Sequence, residues 1–230
     1  MEISKTLEDI GKFFNEILGY LLPGLVLFLL TYYFLDPTQV QKDKPFFDLN
    51  IWLILFSSYI LGYIVYAISY YLNDLFKNTK YFKKDEEIIK SKIQELDEFI
   101  ISVKKIKELI PIIETQKMDF HSVRNFAMAY VPEVDQKIYT FMFRADLFKH
   151  LKDIFLIISF WGIIAYLSKL SLNNTLLFDT QEYNIVIIVL LLILTYPLNE
   201  GKKRFLGIAY KIQFNIFLAK SYPIKNENQK

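Results

Sequence analysis

Four long stretches of the chain contain no charged residue, and polar segments separate them. These stretches are rich in large apolar side chains and cover residues 17–35, 51–72, 154–168 and 183–198. A helix rises about 1.5 Å per residue, so either of the first two can cross a hydrocarbon layer about 30 Å thick. The third reaches that length if its helix continues past Lys169 to Leu172, since a long lysine side chain can carry its charge to the interface. The fourth stretch is short for a complete crossing.

This pattern predicts an all-α protein with four transmembrane helices. The predicted spans lie at about 14–35, 51–72, 153–172 and 183–199. The first hairpin of spans lies within residues 1–72 and the second within residues 153–200. A helical cytoplasmic domain, residues 73–152, is inserted between helices two and three. After Gly201, which is predicted to end the fourth helix, residues 201–230 form a C-terminal interfacial helix and a polar tail.

Basic residues are distributed unequally between the two sides of the predicted spans. Only 3 of the 27 Lys and Arg residues lie in the segments 36–50 and 169–182. Cytoplasmic loops of membrane proteins carry an excess of Lys and Arg, so both termini are expected in the cytoplasm. Many Ile, Lys and Asn residues with few Ala and Gly indicate a bacterial genome, and therefore the inner membrane. Basic residues beside the second and fourth spans are expected to contact anionic lipids: Lys77, Lys80, Lys83, Lys84, Lys202, Lys203 and Arg204.

The segment 83–110 contains neither Gly nor Pro and carries an apolar stripe at helical spacing. It predicts one long helix that Pro111 stops. The stripe either packs on neighbouring helices of the same domain or forms a seam for a partner protein or a second copy. The residues assigned to this partner or self-association helix are Ile89, Ile93, Leu96, Ile100 and Val103. A further continuous helix is predicted from Pro132 to about Leu172, so that the third span extends out of the cytoplasmic domain.

The second span carries a row of tyrosines at helical spacing, with a glycine on the same side. The row consists of Tyr59, Gly62, Tyr63, Tyr66 and Tyr70. Tyrosines concentrate at membrane interfaces, so those near the middle of a span need hydrogen-bond partners. The row is therefore either a polar packing seam between helices or a hydrated pore lining that forms when several subunits assemble. In the first span, Pro23 and Gly24 mark either a tolerated kink or a hinge.

Composition removes several classes of function. The chain is 53% hydrophobic, and this apolar excess is clustered in the four uncharged stretches, which excludes an ordinary soluble enzyme and a disordered chain. Its net charge of +2 excludes a strongly basic nucleic-acid-binding domain. It has no cysteine, only two histidines and no glycine-rich phosphate-binding loop. We therefore predict neither a metal nor a cofactor, and nucleic acid is not an expected partner.

One pair of residues resembles a catalytic motif. Arg144 and His150 have the loose Arg-to-His spacing of HEPN-type ribonucleases, in which both side chains act on an RNA 2′-hydroxyl and phosphate. Two observations favour a structural interpretation. Lys149 and Lys152 account for the local charge as a contact with lipid headgroups, and Ala145 stands where a polar residue is usual. The prediction is therefore that the protein has no catalytic residue and is not an enzyme.

The layout of nearly the whole chain resembles a family of defence proteins. Its features are the sequence LLPGLVLFLL in the first hairpin (residues 21–30), four short spans, a helical cytoplasmic insert and an Ile- and Lys-rich composition. They are similar to small membrane subunits of prokaryotic antiphage systems, including the membrane subunit of Kiwa and the multi-span accessory proteins of type VI CRISPR loci. The resemblance implies an oligomer whose cytoplasmic domain meets a soluble partner or signal, after which the membrane is perturbed.

The leading hypothesis is a homo-oligomeric inner-membrane protein in which a cytoplasmic helical domain docks a protein partner and acts on the lipid bilayer. In this hypothesis it is a pore-forming or membrane-perturbing component of antiphage defence. Two alternatives stay open on the sequence: a membrane-tethered HEPN-like ribonuclease, and a passive membrane scaffold or assembly factor.

Overall fold

The computed structural model describes residues 2–35, 50–76, 80–110, 118–130, 136–172, 176 and 178–222. Within these residues the regular secondary structure is entirely helical, which confirms the predicted all-α class. The helices are α1 (Glu2–Phe34), α2 (Ile51–Phe76), α3 (Lys80–Gln94), α4 (Asp97–Leu109), α5 (Phe120–Tyr130), α6 (Gln136–Leu172) and α7 (Glu182–Ser221). An isolated antiparallel bridge joins Leu35 to Phe178.

Four of these helices, α1, α2, α6 and α7, are long and apolar enough to cross a membrane. Their most apolar windows have mean hydropathies of 1.7 to 2.0. Only 17% of the most apolar segment of α2 is buried inside the protein, so most of its apolar surface needs lipid or another apolar partner. Length and composition thus confirm the predicted number of candidate spans and support a multi-pass membrane protein.

The predicted continuous helix through the third span is confirmed from Gln136 to Leu172. Residues 132–135, where it was predicted to begin, lie outside the described residues. Near its end, the Nζ of Lys169 donates a hydrogen bond of 2.8 Å to the Oγ1 of Thr180. The lysine charge is therefore held by a polar group of the loop before α7.

The predicted helix end at Gly201 is wrong, because α7 continues from Glu182 to Ser221. A Cβ atom at Gly201 would lie 2.7 Å from a ring carbon of Phe148. Because Gly201 has no side chain, the Phe148 ring can pack directly against α7 at this position. The helix continues there even though an isolated glycine usually weakens a helix. Tertiary packing therefore overrides the local signal for a helix end.

The single helix predicted over residues 83–110 is also wrong, since α3 and α4 meet at a turn that contains Leu96. The backbone of Leu96 is extended, with φ −75° and ψ 141°, so the helical hydrogen-bond pattern stops there. Before the turn Ile93 is buried; after it Phe99 is buried, while Ile100 is 50% exposed. The buried stripe has thus moved by one residue from its predicted position, and the turn lets both helices face one core.

The chain divides into two compact units. The first contains α1, α2 up to Leu75, α6 from Phe143 and α7 up to Lys202. The second contains α3, α4, α5 and the remaining parts of α6 and α7. Its first unit has a core of apolar side chains, namely Phe34, Val65, Ile154, Ile158, Ala165, Phe178, Ile188 and Leu191.

The core of the second unit includes the C-terminal part of α7. This part of α7 buries Tyr210, Phe214 and Phe217, whereas Ile208 and Ile212 on the predicted interfacial side are only partly buried. The buried core residues are Ile89, Ile93, Phe99, Ile106, Phe120, Val123, Ala127, Tyr210, Phe214 and Phe217. The segment predicted as a separate interfacial helix is thus continuous with α7 and packs on α3, α4 and α5.

Candidate functional site

A close contact between α1 and α2 sets the geometry of the site. A Cβ atom on Gly24 would overlap the backbone oxygen of Ser58, and one on Gly62 would overlap the backbone oxygen of Tyr20. Small residues allow helix backbones in membranes to approach in this way. Pro23, beside Gly24, is buried, and α1 continues through it as a helix. The contact gives Gly24 a packing role at the position where the sequence predicted either a tolerated kink or a hinge.

The contact places the ring of Tyr20 among the tyrosines of α2. Its centroid lies 5.9 Å from that of Tyr59 and 5.5 Å from those of Tyr63 and Tyr66. Edge-to-face and tilted ring pairs at these distances are favourable. Tyr63 is nevertheless 56% exposed and Tyr70 68% exposed. We call Tyr20, Tyr59, Tyr63, Tyr66 and Tyr70 the tyrosine face.

Gly62 lies at the boundary between the tyrosine row and a buried side of α2. It shares a buried side of the helix with Ser58, Val65 and Ser69, all less than 5% exposed. The residues of this buried side pack inside the first unit, whereas the tyrosines of α2 are exposed at the surface of that unit.

A polar cluster lies beside the tyrosine face, between α2 and α6. The Oγ of Ser69 donates a hydrogen bond of 2.8 Å to the Oδ2 of Asp153, and the Nζ of Lys152 lies 3.6 Å from the Oδ1 of the same carboxylate. The rings of Tyr66 and His150 are 5.3 Å apart. Tyr66 therefore belongs to both features, because it also contacts Tyr20.

His150 is the most buried ionisable side chain of this cluster. It is only 5% exposed, and its Nδ1 has no hydrogen-bond partner among the described residues. A buried polar atom without a partner costs roughly 1–3 kcal/mol, so such atoms are uncommon and are often found at functional sites.

The two residues of the ribonuclease-like pair have different environments. Arg144 is exposed, whereas His150 is buried against Tyr66. Six residues apart on one helix, they project about 120° away from each other. An RNA substrate would have to reach an imidazole that packing already covers. The arrangement favours the structural interpretation of this pair.

The residues predicted to form a partner helix lie mostly in the core of the second unit. Ile89 and Ile93 are buried, Leu96 and Val103 pack partly buried against them, and Ile100 is exposed. This burial favours the interpretation in which the stripe packs on neighbouring helices.

The predicted lipid-binding residues are described only in part. Lys77 and the side chains of Lys80, Lys83 and Lys84 lie outside the described residues. Arg204 is exposed, while Lys202 and Lys203 are partly buried and interact with other groups. In the basic cluster after the fourth span, one side chain is thus exposed to solvent and two make contacts within the protein.

Sequence reasoning missed the role of Phe178, which follows the third span. This ring is fully buried, stacks on Phe34 with centroids 4.7 Å apart, and lies 5.0 Å from the ring of Trp161. A Cβ atom at Gly162 would lie 2.9 Å from it, so the glycine makes room for the ring. The available signal was the short apolar run of Leu176, Leu177 and Phe178 between polar residues of the predicted loop.

Comparison with known protein families, with curated proteins and with solved structures finds no match to this chain.

Proposed function

We propose that this chain is a bacterial inner-membrane protein that assembles into a homo-oligomer through the tyrosine face and perturbs the bilayer in its assembled form. The observation that carries the proposal is the exposed ring of Tyr63 near the middle of the second span, 56% exposed in the single chain. Hydrocarbon offers a phenol hydroxyl no hydrogen-bond partner. A second copy packed on the tyrosine face would cover these rings and provide partners for their hydroxyls.

The tyrosine face is already ordered in the single chain. Tyr20 is held among three tyrosines of α2 by the close contact at Gly24 and Gly62. Binding by a surface that is already ordered loses less conformational entropy than binding by a flexible one. This order supports the face as an assembly surface rather than a set of separate interfacial rings.

In the assembled form the hydroxyls either bond to one another in a dry seam or line a path for water. Release of a dye from liposomes that contain the purified protein distinguishes the dry seam from the hydrated path. Tyr63→Phe removes only the hydroxyl, so a hydrated path predicts several-fold slower release at unchanged oligomer content. Tyr196→Phe is the matched control, since Tyr196 is a 73% exposed tyrosine on α7, and its release should equal that of the wild type.

The outcomes of this experiment separate the alternatives. Unchanged release together with weaker assembly in Tyr63→Phe would assign the face to a dry seam. A wild-type protein that releases no dye in any oligomeric state would contradict membrane perturbation and favour the passive scaffold.

The second unit supports a docking role for the cytoplasmic part. It has its own core, and α6 and α7 each have residues in both units. A soluble partner bound there has two helices through which to act on the spans, as the layout of antiphage membrane subunits implies. Phage plaque counts on bacteria with and without the chain test the defence role, and equal counts would contradict it.

A further inference from the structure

A groove lies where α1 ends and α7 begins, within the first unit. It has a volume of about 650 Å³ and is open toward the surface of the protein. Its lining combines two leucines, three tyrosines, one amide and one carboxylate: Leu29, Leu30, Tyr32, Tyr33, Asp179, Gln181 and Tyr183. None of these residues is basic, so the charge of the lining is negative.

Hydrogen bonds to both the backbone and the side chain of Asp179 hold the carboxylate of this groove in place. The Asp179 N–H donates a hydrogen bond of 2.7 Å to the Phe34 oxygen, and the Nδ2 of Asn184 donates one of 2.8 Å to the Asp179 carbonyl. The Oδ1 of Asp179 accepts a hydrogen bond of 3.2 Å from the Gln181 N–H. The preceding residue, Phe178, is fully buried. Three hydrogen bonds and a buried neighbouring residue thus fix Asp179, as a preorganised binding group requires.

Three tyrosines line the same groove as the Asp179 carboxylate, and together these groups favour a particular class of ligand. Aromatic faces attract cations, including the ammonium groups of ligands, and the carboxylate supplies the opposite charge. An aromatic belt at a membrane interface also collects tyrosines, but it needs neither a fixed carboxylate nor a concave wall. Leu29 is 47% exposed and adds an apolar surface that suits methylene groups.

We propose that this groove binds an organic ammonium group. The group belongs either to a lipid headgroup, such as that of phosphatidylethanolamine, or to a free cation such as choline. Lys169 does not line the groove, and its Nζ is hydrogen-bonded to Thr180. The groove shares no residue with the tyrosine face, so the two proposals can fail separately.

Native mass spectrometry of the delipidated full chain in detergent tests the proposal. Equal amounts of phosphatidylethanolamine, phosphatidylcholine and phosphatidylglycerol with the same acyl chains are added. We expect at least about fivefold stronger retention of the two ammonium lipids than of phosphatidylglycerol, which has no ammonium group. Asp179→Asn, which keeps the Oδ1 acceptor, should abolish this preference, whereas Glu182→Gln should retain it.

A second arm identifies the source of the ammonium group. Choline chloride that displaces the retained lipid at millimolar concentration assigns the site to a free cation, and failure to displace it assigns the site to the lipid. Tyr183→Leu keeps the Asp179 side chain but removes an aromatic ring and the hydroxyl that is hydrogen-bonded to it, and it should weaken retention of both ammonium lipids. Equal retention of all three lipids by the wild type, or an unchanged preference in Asp179→Asn, would overturn the proposal.

Discussion

Two glycines decide how closely α1 and α2 can approach. Gly24 and Gly62 leave no room for a methyl group between the backbones, and they set Tyr20 among the tyrosines of α2. The sequence showed Pro23 and Gly24 as an interruption and the tyrosine row by its spacing. It could not pair Gly24 with Gly62 or add Tyr20 to the row, because such pairings depend on the offset between two helices.

Replacing either glycine by alanine should destabilise the first unit. In Gly24→Ala or Gly62→Ala the new methyl group would overlap backbone atoms, and overpacking of this kind costs roughly 1–3 kcal/mol. Gly207→Ala is the matched control, since nothing lies within 4 Å of a Cβ atom at that position. Because alanine favours a helix, the control should be neutral or more stable, by up to about 1 kcal/mol. Thermal unfolding in detergent measures the three variants, and equal midpoints would contradict the close contact.

At the scale of the helices, the break between α3 and α4 is a feature that the spacing of apolar residues could not predict. The apolar residues around Leu96 allow two stripes, one through Ile100 and one through Phe99, and both fit helical spacing. The fold buries Phe99, whose ring lies 5.2 Å from that of Phe214 on α7. This choice depends on Phe214, which lies more than 100 residues from Phe99 in the sequence, so the local pattern could not determine it.

An ion pair between α4 and α7 predicts a pH dependence of stability. The Nζ of Lys211 lies 2.9 Å from the Oε1 of Glu98, and this hydrogen bond lowers the pKa of the Glu98 carboxyl below its ordinary value of 4.5. A lowered pKa in the folded state contributes stability that is complete above the ordinary value and is lost as the pH falls through the lowered one. The pair is partly exposed, so the contribution is at most about 1 kcal/mol.

Thermal unfolding of the full chain between about pH 5 and pH 3 measures this contribution. The wild type should lose more stability over this interval than Glu98→Gln, which has no carboxylate to protonate. Glu95→Gln, in the turn before α4, should behave as the wild type. Identical pH profiles for the wild type and Glu98→Gln would show that the pair contributes nothing.

For the whole molecule, the number and type of the candidate spans followed from the sequence, because length and apolar composition determine whether a helix can cross a membrane. The division into units was harder to predict. Gly201 has the local signature of a helix end, yet α7 continues through it and buries Tyr210, Phe214 and Phe217 in the second unit. The partners of those rings lie on α3, α4 and α5, so only the assembled fold reveals their role.

The central claim is that copies of this chain meet through the tyrosine face within the membrane. The chain contains no cysteine, so Tyr63→Cys introduces the only thiol, and oxidation in native membranes links two copies only where these positions meet. Ile64→Cys is the matched control, since Ile64 is 45% exposed at nearly the same depth but projects about 100° away around α2. We predict a disulfide-linked dimer for Tyr63→Cys in several-fold excess over Ile64→Cys. Equal yields, or no dimer at position 63, would contradict assembly through this face.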